Sequence, residues 1–178
     1  MRKDLFTILA AIIFSQVVFA QNQYEILPDR DGSKFLKGIV SKEVLLNDSA
    51  YAKWYTANLK GFNPNADAVS SLKKNSDSLQ LLVFMGTWCE DSHFIIPKFY
   101  SLLDAAGFPL NRVTLVATDR NKTTMSHLAE ALGIKNVPTI MIMKNGKELG
   151  RVVEYGKYGL FDKEMGEIIN SSEINKPN

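Results

Sequence analysis

Val83-Phe84-Met85-Gly86-Thr87-Trp88-Cys89-Glu90-Asp91-Ser92 contains the only cysteine in a chain of 178 residues. Leu81 to Met85 is a continuous apolar run of strand length, the pattern of a strand covered on both faces. Immediately after Cys89 an amphipathic segment begins, with Ile95, Phe99, Leu102 and Leu103 at helical spacing. One thiol therefore stands at a strand-to-helix junction, in the first turn of the helix. The N–H groups there carry partial positive charge, which favours a thiolate. With a single cysteine, no disulfide can close within the chain.

Working outward, Pro97 lies inside the helix and is expected to kink it by removing a backbone donor. Gly107 and Pro109 end that unit, and Val113 to Ala117 reads as a second strand. Thr123 or Thr124 can cap a helix carrying Met125, Leu128, Ala129 and Leu132, stopped by Gly133. Thr139–Met143 and Leu149–Val153 flank Lys144-Asn145-Gly146-Lys147, a strong hairpin signal. Phe161, Met165, Ile168 and Ile169 mark a final helix. Strands 81–85 and 113–117 should then be parallel through a right-handed crossover, and the last pair antiparallel.

Upstream, residues 21–34 are polar, with Pro28, Asp31 and Gly32, and read as a loop leader. Residues 35–79 form an N-terminal part of the fold. Within it, Phe35–Val40 reads as a strand and Ser41 as the cap of a helix beginning Lys42-Glu43-Val44. The helix breaks near Asn47-Asp48-Ser49 and restarts through Trp54 and Tyr55; a shorter helix spans Ala66 to Leu72. The core is expected at 80–170, and 171–178 as a frayed tail.

Residues 1–20 read as a secretory signal peptide. Arg2 and Lys3 precede an apolar run from Leu5 to Phe14 broken only by Thr7, and Val18-Phe19-Ala20 offers small residues for cleavage. The run is shorter than the roughly 20 residues of a membrane span; an uncleaved anchor is the alternative reading. The expectation is export to the periplasm or secretion, with no stable membrane association once the signal is removed and a monomeric product. The formal net charge is +2 with both signs scattered, which excludes a nucleic-acid stripe. A lone thiol in an oxidising compartment must be free, capped or paired with another molecule.

The order of elements, with Trp-Cys ending the first core strand, resembles the thioredoxin family. Four features carry the resemblance. Trp88-Cys89-x-x-Ser92 stands where the family has Trp-Cys-x-x-Cys. Pro97 stands where thioredoxins kink the active-site helix, and Val137-Pro138-Thr139 where the family has its cis-proline. Lys144-Asn145-Gly146, a strand, Gly156 and a helix match its C-terminal half. The resemblance implies a thioredoxin-like α/β fold: a central mixed sheet flanked by helices on both faces, here with an N-terminal helical extension. It also implies Cys89 as the reactive thiol, Ser92 as the residue that tunes it, and Trp88, Val137 and Pro138 as the substrate-binding surface. Val83 departs from the buried aspartate of cytosolic thioredoxins, Glu90-Asp91 from their neutral or basic pair, and Ser92 from their second cysteine.

Cys89 can attack a disulfide, but a serine hydroxyl is too weak an acid and nucleophile to resolve the product. What remains is mixed-disulfide chemistry with protein or low-molecular-weight thiols. The alternative is a redox-inactive module that holds a peptide or protein in the same groove, by strand addition at Val137. Glu90 and Asp91 oppose a thiolate by like charge and equally suit the first turn of a helix. His93 offers positive charge if it faces Cys89. His93 and His127 lie far apart and make no metal site, so neither a metal nor an organic cofactor is implied.

Overall fold

A computed structural model describes residues 23–174; the signal-peptide reading of residues 1–20 falls outside that range. Six strands form one sheet: β1 (Tyr24–Pro28), β2 (Lys34–Val40), β3 (Leu79–Met85), β4 (Val113–Ala117), β5 (Thr139–Lys144) and β6 (Lys147–Val153), in spatial order β1-β2-β4-β3-β5-β6. β3 and β4 are parallel, with Val83 opposite Leu115; every other pairing is antiparallel. The helices are α1 (Lys42–Asn47), α2 (Ser49–Ala57), α3 (Ala66–Lys74), α4 (Glu90–Ala106), α5 (Leu128–Ala131) and α6 (Phe161–Ile174).

The apolar run of β3 serves two cores at once. Leu81, Val83 and Met85 face a large cluster that takes in Leu45, Tyr55, Leu72, Ile95, Phe99, Leu103, Phe161 and Met165 from five helices. Phe84 faces the other way, into a smaller cluster with Val116, Ala129, Ile134, Val137 and Met141, against which Trp88 and Cys89 pack. The sheet is thus thickly covered on one face and closed on the other by the short α5 and its flanking loops. Local chemistry sets the helix starts. Ser41, Asp48 and Asn65 cap α1, α2 and α3 by accepting the N–H groups of Val44, Ala50 and Ala68. α4 continues through Pro97 as one element.

The residues read as a loop leader contain a strand. β1 pairs with β2 from Tyr24 opposite Gly38 to Pro28 opposite Lys34. It is an edge strand, largely solvent-exposed, so it needs no apolar run, and its proline sits at its end. The helix expected after Thr124 shrinks to one turn of 3-10 helix at Met125–His127 followed by α5, because Ser126 and His127 both adopt φ of 53°. α6 runs past residue 170 to Ile174, anchored where Ser71 Oγ donates to Asn170 Oδ1 at 2.8 Å. The Asn145-Gly146 turn has φ of 52° and 73°, the two positive values of a type I′ hairpin.

Candidate functional site

The turn between β3 and α4 is built from its own backbone and two buried hydroxyls. Cys89 N–H donates to Gly86 O at 3.0 Å. Ser92 Oγ, with the residue 0% exposed, accepts the Gly86 N–H at 3.1 Å. Thr87 Oγ1 accepts the Leu36 N–H at 3.0 Å, joining the turn to β2. A Cβ on Gly86 would lie 2.6 Å from Trp88 Cε2, so the indole folds back over the glycine. Trp88 Nε1 then donates to Thr118 O at 2.8 Å.

Cys89 is partly exposed at the head of α4, and its Sγ donates to Val137 O at 3.2 Å. The Val137–Pro138 peptide bond is cis, and Pro138 O accepts the Glu154 N–H at 2.7 Å. Trp88, Cys89, Val137 and Pro138 therefore meet at one end of the sheet. Ser92 lies beneath them with its hydroxyl turned to Gly86, whose N–H it accepts. Val83 is fully buried among apolar side chains.

Around the thiol the structure brings in residues that local sequence did not single out. Arg120 lies 5.0 Å from the Trp88 ring and is held bidentately by Asp29, at 2.8 and 2.9 Å. That hydrogen-bonded arginine holds the Asp29 carboxyl below its ordinary range. Lys122 lies 5.8 Å from the same ring. On the opposite side Tyr155 donates its hydroxyl to Asp91 Oδ1 at 2.8 Å and packs on Phe94 with centroids 5.5 Å apart. The carboxylate, more than burial, raises the phenol pKa to about 12. Asp29 and Arg120 are 91 positions apart and Asp91 and Tyr155 are 64 apart, so no local spacing announces either pair. The positive φ of Glu154 and the Gly156 turn fit the Gly156 signal but give no sign of the tyrosine's partner.

His93 does not bring positive charge to Cys89. Its ring stacks on Trp54 at 4.3 Å and 12°, and Nε2 bonds Thr87 O at 2.7 Å. Burial pushes its pKa below the ordinary histidine value, outweighing the Thr87 bond and Glu90, so it is neutral at pH 7. Lys157, in the loop before α6, is tied to that helix: its N–H donates to Glu164 Oε2 at 2.8 Å, and its Nζ pairs with Glu167 at 3.4 Å.

A mixed sheet with a partly exposed cysteine at a helix N-terminus beside a cis X-Pro bond defines a thiol-bearing thioredoxin-type site. The family model described as Thioredoxin matches residues 64–164, and the chain belongs to the thioredoxin family. It is 30% identical over 96 residues to a thioredoxin of Echinococcus granulosus, covering 54% of this chain and 83% of that one. It is 30% identical over 99 residues to a thioredoxin of Chlamydia muridarum, covering 56% and 80%. A crystal structure of a Pseudomonas aeruginosa protein of unknown function superposes with a TM-score of 0.51 at 14% identity, covering 76% of this chain and 92% of that one. That likeness concerns the fold alone. Family membership supports function of the thiol–disulfide oxidoreductase type in general.

Proposed function

We propose that this protein performs thiol–disulfide exchange through Cys89 alone, in an exported setting. The observation that carries the reading is the position of the sulfur: partly exposed, at the N-terminus of α4 and 3.2 Å from Val137 O. In the forward step the Cys89 thiolate attacks one sulfur of a disulfide R–S–S–R. The Cys89–S–S–R bond forms, the old S–S bond breaks, and R–S⁻ leaves with its electron pair. No electrons are gained or lost overall. A thiol from outside the chain must release the adduct, because Ser92 supplies a hydroxyl that is buried and bonded to Gly86. Ionisation of Cys89 removes the S–H donor from Val137 O, which is then free to accept an N–H from an extended substrate segment. Trp88, resting on Gly86, walls the other side. The partners fitting this chemistry are protein or low-molecular-weight thiols and disulfides. Export rests on Arg2-Lys3 and the Leu5–Phe14 run.

Intact-mass analysis after incubation with oxidised glutathione tests the reading. One dithiothreitol-reversible glutathione on the folded wild type, and none on Cys89→Ser, is the expected result. An adduct that appears only after denaturation would leave a peptide-binding module in place of an exchange protein. N-terminal sequencing of the protein recovered from a secreting host, starting near Gln21, checks the export step.

A further inference from the structure

The loop after β6 completes a circuit of contacts around the thiol. Cys89 Sγ meets Val137 O at 3.2 Å. The next carbonyl, Pro138 O, accepts the Glu154 N–H at 2.7 Å. Tyr155 then reaches across to Asp91, at 2.8 Å, and Asp91 stands in the first turn of α4, two residues past Cys89 at the N-cap. Glu154 at φ 53° and Gly156 at φ 74° make the sharp turn that aims the tyrosine at the helix. Phe94, one turn along α4, backs its ring.

The charged groups surrounding the sulfur come from three elements. α4 contributes Glu90 and Asp91. The loop after β4 contributes Arg120, whose protonated form is favoured by its Asp29 bond first and more weakly by Asp31 and Cys89, and Lys122 beyond Trp88. The loop after β6 contributes Glu154 and the Tyr155 phenol, itself coupled to Asp91 first and less strongly to Cys89. His93 is neutral and committed to Thr87 and Trp54. An acid in the first helical turn opposes a thiolate beside it by like charge. Asp91 is the first-turn acid that receives a neutral donor from across the groove. A hydrogen bond to an ionised carboxylate is among the stronger ones and draws charge toward the donor.

We propose that Tyr155 is a positioning residue for Cys89: its phenol draws the Asp91 carboxylate onto the loop and takes up part of its charge, so that Asp91 weighs less against the thiolate. The proposal rests on the exchange reading above.

The test is the rate of Cys89 alkylation by iodoacetamide in the folded protein, followed across pH for wild type, Tyr155→Phe, Asp91→Asn and the double variant. Tyr155→Phe should react about two- to threefold more slowly near pH 7, with its profile moved toward higher pH and the same plateau in alkali. Asp91→Asn should move the profile toward lower pH. In the Asp91→Asn background, Tyr155→Phe should change nothing. Coincident wild-type and Tyr155→Phe profiles would remove the role of Tyr155. So would an equal slowing in both backgrounds, which would reduce Tyr155 to a packing residue. A wild-type thiol that resists alkylation until the protein is denatured would overturn the exchange reading itself and this inference with it.

Discussion

Ser92 Oγ accepts the Gly86 N–H at 3.1 Å with the serine wholly out of solvent. The residue standing where the family has its second thiol therefore serves the backbone of the turn that carries the first. Removing the hydroxyl leaves a buried N–H without this acceptor, at a cost of about 1–3 kcal/mol. Ser92→Ala should lose stability of that order in urea denaturation. The glutathione adduct on Cys89 should still form, since Ser92 takes no part in the attack.

Gly86 is required by its neighbour rather than by its own backbone angles. Alanine there would place a methyl group against the Trp88 indole, 2.6 Å from Cε2. The ring must swing out and give up the Thr118 bond. Gly86→Ala should red-shift tryptophan emission relative to wild type and destabilise by about 1–3 kcal/mol. Trp54→Phe in both backgrounds isolates the Trp88 signal, and unchanged emission in that pair would contradict the packing described.

Asp29 carries an acid dependence. Its carboxyl titrates below the ordinary value because Arg120 is bonded to its charged form. A depressed carboxylate contributes stability that is present above the unfolded value, near 3.8, and disappears as pH falls through the lower folded value. Wild type should therefore exceed Asp29→Asn in thermal stability at pH 6, and the difference should vanish on acidification below the ordinary carboxylate range. A gap that persists undiminished at pH 2 would show that the pair is not its source.

His93 works at higher pH. Burial disfavours its charged form, so its folded value lies below the unfolded 6.5. The unfolded chain then binds the proton first as pH falls, and stability present above 6.5 is lost as pH drops through the folded value. Midpoints of thermal unfolding at pH 7.5 and 5.5 should differ more for wild type than for His93→Phe, which keeps a ring against Trp54.

The parts of the fold governed by strong local patterns were legible in the chain. The run Leu81–Met85 is apolar throughout because two cores claim it, and Asn145-Gly146 announces its hairpin because few residues accept two successive positive φ angles. Ser41 announces α1 by the N–H it accepts. The site was legible where it is sequential, at Trp88, Cys89 and Ser92, and where the family marks it, at Val137 and Pro138. β1 was hidden because its short apolar stretch around Tyr24 and Ile26 lies among polar residues with Pro28, Asp31 and Gly32, a composition that reads as loop. The shortened helix at 125–131 was hidden because Ser126 and His127 carry nothing in their identity that demands a left-handed backbone. Tyr155 and Arg120 were hidden because their partners come from remote turns of the chain, and side-chain hydrogen bonds of that kind leave no period in the sequence.

Side-chain bonds that cross from the N-terminal hairpin to the reactive end of the sheet include Leu36 N–H to Thr87, Arg120 to Asp29 and Lys37 to Asp119. Both donors and acceptors on the hairpin side lie ahead of residue 64, where the family match begins. A fragment trimmed to that match would retain the thiol yet lose the strand that steadies Thr87 and the acid that holds the arginine over Trp88. In this protein the smallest unit able to present Cys89 in its native setting is accordingly larger than the matched segment, and reaches back at least to β1.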